Sequence, residues 1–285
     1  MHNQLKTLAL LAALSALLVG IGSALAPGYA WGFLVLALLM NLASYFWSDR
    51  IVLAMYRARP VTPEQAPEVH EIVGELSARA HVARPRVYVI PSDQPNAFAT
   101  GRNPEHSAVA VTEGILRILT PRELRGVLAH ELAHVHNRDI LITSVAAAIA
   151  TAITYLAHML QFAAFFGGGR RDDDGPSGLE AIGLAIVAPI AATLLQLALS
   201  RSREYQADES GARLAGDPEA LASALEKLER GVALNPGAAS PATASLFIVS
   251  PLAGAGGVMA LFSTHPPLAE RIRRLRALAF AGRMA

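Results

Sequence analysis

TPRELRGVLAHELAHVHNRD, residues 120–139, decides how this chain is read. Thr120 suits a helix N-cap, Pro121 the first helical position, and Glu123 stands where it closes a capping box. The helix that starts there carries residues 127–137, and with them His130, Glu131 and His134 in the H-E-x-x-H spacing. Residues four apart share one helix face, so both imidazoles reach a single ion. Glu131 follows the first of them, placed to take a proton from a zinc-bound water. Leu128, Ala129, Leu132, Ala133 and Val135 are apolar or small. They suit a buried helix better than a surface helix with two solvated histidines. His136, two residues past His134, points off the metal face.

Two histidines leave the site incomplete. A third histidine on the metzincin spacing is absent, since Asn137 and Ile140 stand where Gly and His belong. With no cysteine in the chain, thiolate ligands, thiolate nucleophiles and disulfides are excluded together. Glu204, in the stretch RSREYQAD of residues 201–208, is the best remaining candidate. Catalytic zinc sites commonly use two His, one Glu and a water. Asp208 lies one turn later on the same face, placed to accept the free ring N–H of a zinc-bound histidine. The plain alternative is a pair of solvated carboxylates facing Arg201 and Arg203.

The chain around these motifs is unusually apolar. Of its 285 residues 53% are hydrophobic and 16% charged, where a soluble domain carries about 25% charged. The charges gather in residues 48–139 and after residue 201, with long apolar runs outside them. Residues 7–26 and 28–47 each match the roughly 20 residues a membrane span needs. Tyr29, Trp31, Tyr45, Phe46 and Trp47 lie near the ends of the second run, as in an interfacial belt. A cleaved signal peptide is the alternative for the first run, but the run is long and a second follows at once. Residues 140–166 and 179–200 are read as two further spans rather than buried helices, although Glu180 and Gln196 run against that. Between them lies a Gly- and Asp-rich loop, residues 167–178. Arg50, Arg57 and Arg59 follow the second span, which by the positive-inside rule puts the polar segments in the cytoplasm. Two crossings then return residue 204 to the side of residue 134. The formal net charge of +1 gives no reason to expect a nucleic-acid partner.

The polar segments predict a small α+β unit. Residues 68–82 have helical periodicity, 86–90 and 107–112 read as strands, and 92–104 is turn-rich. Residues 218–233 read as a helix, 235–245 as a loop, and 266–278 as a basic amphipathic helix with Arg271, Arg273, Arg274 and Arg276. The strand at 107–112, just before the metal helix, is the expected edge on which an extended substrate pairs. Asn96 is expected to be a turn residue or to bond substrate backbone. His265 is either the second stabiliser of the oxyanion or a cap for the helix that follows.

These stretches together resemble the HtpX family of heat-shock membrane proteases. The likeness rests on residues 130–139 and 200–208, on Asn96-Ala97-Phe98-Ala99-Thr100-Gly101, and on Ser263-Thr264-His265-Pro266-Pro267. CAAX prenyl endopeptidases are more distant relatives, longer and with more spans. The resemblance implies a mainly α membrane protein of about four transmembrane helices with an α+β, zincin-like catalytic domain. It implies an N-terminal hairpin at 1–47, a catalytic part at 48–139, a second hairpin at 140–200 and the rest of the catalytic domain at 201–285. It further implies one Zn2+ per chain on His130, His134 and Glu204, with Glu131 as general base and His265 assisting. The expected enzyme is an endopeptidase of the bacterial inner membrane with a cytosolic site, acting on misfolded membrane proteins under stress. A metal-binding scaffold would leave Glu131 without a task, and a transporter would place charges within the runs.

Overall fold

The structure, a computed structural model, describes residues 30–145, 201–234, 246–249 and 266–284, with isolated positions before residue 30. The third and fourth apolar runs beyond residue 145, most of the first run, the loops at 167–178 and 235–245, and His265 lie outside the described residues.

The chain enters on α1, Ala30–Met55. Its stretch Trp31–Met55 is long and apolar enough to cross a membrane. Near the middle of the second run, Asn41 donates to Leu11 O (3.3 Å) and to Ser15 Oγ (2.7 Å), so a polar side chain in apolar surroundings is satisfied by the first run. The apolar composition ends near Trp47, but the helix does not: it continues to Met55. Val52 and Leu53 are buried on the sheet, and Asp49 accepts from Arg86 Nη2 at 2.7 Å.

Four strands follow: β1 Arg59–Pro60, β2 Arg86–Ile90, β3 Ala97–Gly101 and β4 Ser107–Thr112, in the spatial order β1-β2-β4-β3. β2 and β4 are parallel; the other pairs are antiparallel. Side chains alternate between the two faces. Val87, Ala97, Ala99, Val109 and Val111 face the main core. Ile90, Phe98, Ala108 and Ala110 face the end of α1. Two expectations change here. The turn-rich segment contains a strand, β3, whose small residues have weak strand propensity but are all buried. β4 is a central strand, and β3 lies outside it.

The helices α2 (Pro67–Arg79), α3 (Glu113–Ile118), α4 (Pro121–His136), α5 (Arg201–Ala215), α6 (Pro218–Leu234) and α7 (Leu268–Met284) pack with the sheet, and residues 140–145 are helical as well. α4 is the central one, with Leu124, Val127, Leu128, Leu132 and Val135 in the main core. Its start is the expected capping box: Thr120 N donates to Glu123 Oε2 (2.9 Å) and Glu123 N to Thr120 Oγ1 (3.4 Å). Glu123 also accepts from Ser223 Oγ and Lys227 Nζ, both at 2.7 Å, which ties α4 to α6. Burial opposes its charge, but these donors outweigh that and hold the carboxyl down at about 2.

Glu123→Ala is therefore expected to lower stability by about 2–3 kcal/mol, a cap plus charge-assisted bonds. Because the folded pKa lies below the unfolded one, the carboxylate's contribution is present above about pH 4.5 and fades as pH falls toward 2. Thermal midpoints in detergent at pH 7 and pH 3 check both statements: the gap between parent and variant must shrink in acid.

Candidate metal and catalytic centre

α4 presents His130 and His134 on one face, and α5 crosses that face at backbone contact. Gly211 makes the crossing possible, since a Cβ there would lie 2.7 Å from His130 Cα. The close crossing carries Glu204 and Asp208, two turns and one turn earlier on α5, up to the histidines. His130 Nε2 and His134 Nε2 are 3.2 Å apart, and each is 3.7 Å from a Glu204 carboxylate oxygen. A tetrahedral zinc bonded at about 2.0–2.1 Å sets its ligand atoms about 3.3–3.4 Å apart, so the triangle fits a metal with little adjustment.

The outer ring nitrogens strengthen the fit. His130 Nδ1 lies 3.0 Å from Asp208 Oδ1, and His134 Nδ1 lies 3.1 Å from both oxygens of Asp139. With each Nδ1 turned toward a carboxylate, both Nε2 atoms face each other and Glu204. A bound metal would take both Nε2 lone pairs while each Nδ1 stays turned toward its carboxylate. Burial opposes charge on His134, but Asp139, Glu204 and Glu131 outweigh it and raise the ring to about 10. The same excess of negative charge favours a divalent ion.

Glu131 lies beside this triangle. Its Oε2 accepts from Ala99 N on β3 at 2.8 Å. Burial pushes the Glu131 carboxyl above the ordinary carboxylate range, against the pull of the two histidines and the Ala99 N–H. A cavity of about 30 Å³ opens next to it, bordered by His130, His134 and Glu204.

The structure thus brings His130, Glu131, His134, Glu204 and Asp208 together. His136 bonds Ala80 O at 3.2 Å, away from the centre. Asn96 departs from both of its expected roles, since it is buried and bonds the chain's own backbone, Leu246 O and Ile248 N. Two residues escaped the sequence reading. Asp139 returns to His134 because Arg138 adopts a left-handed turn, φ 58°, just past the helix. Arg271, expected only as one of the arginines of a basic amphipathic helix, is fully buried. It donates to both oxygens of Asp208 (2.8 and 2.7 Å) and to Ile248 O (2.8 Å). Burial works to raise the Asp208 carboxyl, yet Arg271 and His130 hold it at about 2.

Asp139→Asn should weaken metal binding about 10- to 100-fold, the usual cost of losing a partner that orients a ligand histidine. Competition with a chromophoric chelator measures it, and parent-like affinity would leave Asp139 without that role.

Among known proteins, the sequence model of peptidase family M48 matches residues 63–279. A protein called "Protease HtpX homolog" from Syntrophobacter fumaroxidans is 57% identical over 283 residues, 98% of this chain and all of that one. A protein of the same description from Pelotomaculum thermopropionicum is 53% identical over 97% of this chain and 99% of its own length. Among solved structures, Ste24p of S. mikatae aligns with 96% of this chain at a TM-score of 0.51 and 18% identity. This chain covers 65% of that one, and the likeness concerns the fold.

Proposed function

The chain belongs to peptidase family M48 and is a metalloendopeptidase, and from that premise we propose a zinc enzyme with its site at a membrane surface. The observation that carries the proposal is the convergence of His130, His134 and Glu204, whose ligand atoms lie within 4.8 Å of one another, with Glu131 at their side. One zinc per chain suits two imidazoles and a carboxylate with no thiolate. When bound, zinc polarises the scissile carbonyl and lowers the pKa of its water toward about 7.

In this reading Glu131 takes the proton of the attacking water and passes it to the leaving amine. The Ala99 N–H that holds Glu131 belongs to β3, which among the described residues pairs with β4 alone. β3 is therefore the strand on which we place an extended substrate, recognised through its backbone. His265, outside the described residues, remains the proposed partner for the oxyanion. Asp208, with Arg271 behind it, and Asp139 orient the two histidines.

The substrates proposed are misfolded or damaged proteins of the bilayer, cleaved on their cytoplasmic side during stress. The proposed setting is the bacterial inner membrane, with four spans and the catalytic domain split into residues 48–139 and 201–285. The test is zinc analysis and casein cleavage by the purified protein, with metal removed and restored. Cleavage lost with a chelator and regained with zinc is the expected result; cleavage indifferent to metal contradicts the proposal. A reporter fused after Met55 should read cytoplasmic, and a periplasmic reading would reverse the orientation.

A further inference from the structure

Among the described residues, the cavity beside the metal centre is polar on one side only. Glu131, His130, His134 and Glu204 form that side. Phe98, Ala99, Ile140, Thr143, Leu246, Phe247 and Ile248 form the rest of the described lining, and only Thr143 among these has a polar side chain. The wall at 246–248 comes from a stretch far from the metal helix in sequence, yet it is fixed from several directions. Asn96 holds it through Leu246 O (3.1 Å) and Ile248 N (3.2 Å), and Arg271 holds Ile248 O. The Phe247 ring packs 6.3 Å from the ring of Tyr56 on the segment that follows α1, and Tyr56 packs 5.3 Å from Phe98. Leu246, Phe247 and Ile248 are each buried. Arg271 also grips Asp208 beside His130, so one side chain positions both the wall and the metal ligand.

A fixed apolar wall next to a reacting centre acts as a size gauge. The cavity of about 30 Å³ has room for roughly two waters. A small side chain fits there, while a leucine or phenylalanine meets Phe247. An acidic side chain would face Glu131 and Glu204 with no cationic side chain among the described lining residues. Resting on the peptidase reading above, we infer that this cavity is the subsite for one residue flanking the scissile bond. It accepts small apolar side chains, and Phe247 sets the upper limit of size. Specificity of this kind is steep, since a methylene gained or lost in an apolar pocket changes discrimination roughly 10- to 200-fold.

The experiment uses the full-length zinc-loaded protein and β-casein, with every cleaved bond mapped by mass spectrometry. For the parent, glycine, alanine and valine should dominate at one of the two flanking positions, and aspartate and glutamate should be depleted there. Phe247→Ala should shift that same position toward leucine, methionine and phenylalanine by about tenfold or more, with zinc content unchanged. Ile140→Val, a smaller enlargement at another part of the wall, should shift it in the same direction by less. Phe247→Leu replaces Phe247→Ala if the latter fails to fold. Parent cuts without size bias at either flank would overturn the inference, as would enlarged, zinc-replete variants that cut where the parent cuts. A zinc-replete parent that cuts no casein would fail at the earlier step, the peptidase reading itself.

Discussion

Glu131→Gln is expected to keep one zinc per chain and to cleave casein about 10²–10⁴-fold more slowly than the parent, the range that loss of a general base commonly costs. Glutamine is the right replacement for a specific reason. The Glu131 carboxylate is buried and accepts a hydrogen bond from Ala99 N. An amide oxygen keeps that acceptor in place, so β3 stays in register and the Ala99 N–H is not orphaned. Alanine would remove the acceptor too, and its effect would mix catalysis with a buried unsatisfied donor costing about 1–3 kcal/mol. The metal triangle does not include Glu131, so zinc content should not change. Zinc by atomic absorption and kcat/KM on casein, measured on the same preparation, separate the two roles. A Gln variant that cleaves like the parent would remove Glu131 from the mechanism; one that loses zinc would make it a ligand.

The parts legible in the sequence were those written in local patterns. Thr120 and Glu123 announce the start of α4, and the four-residue spacing of His130 and His134 places both on one face. The alternating Val and Ile of residues 86–90 announce β2. The parts that were not legible depend on distant partners. β3 is built of Ala, Phe, Ala, Thr and Gly, and becomes a strand because β4 pairs with it and helices cover it. Without that context its composition reads as loop, and residues 107–112 look like the edge that β3 in fact forms beside β4. Arg271 stands among four other arginines on one helix. Its difference from them is only that Asp208, 63 residues away in the chain, meets it inside the core. Asp139 depends on a backbone turn at Arg138 that no residue type announces. Asn96 stands in a legible motif, but its partners at 246 and 248 are about 150 positions away.

Glu204 lies between these two cases, and the second large effect is expected there. Its identity was read from chemistry, two histidines in need of a carboxylate. Its location depends on Gly211, which lets α5 lie on the backbone of His130. Glu204→Ala leaves two imidazoles and no anionic ligand, so zinc affinity should fall by well over the 100-fold that orienting partners cost. After dialysis the variant should hold far less than one zinc per chain. A second readout follows from linkage. Zinc at 100 times its Kd stabilises the folded parent by about 2.7 kcal/mol, and the same zinc concentration should barely move the thermal midpoint of the variant. Asp208→Asn is the matched comparison: it alters the neighbour one turn away on α5 but spares all three ligand atoms. It should retain zinc with reduced affinity and still show a zinc-dependent midpoint. If Glu204→Ala retains stoichiometric zinc and the full thermal shift, the third ligand lies elsewhere. If Asp208→Asn loses as much as Glu204→Ala, orientation of His130 by Asp208 matters as much to the site as direct ligation by Glu204.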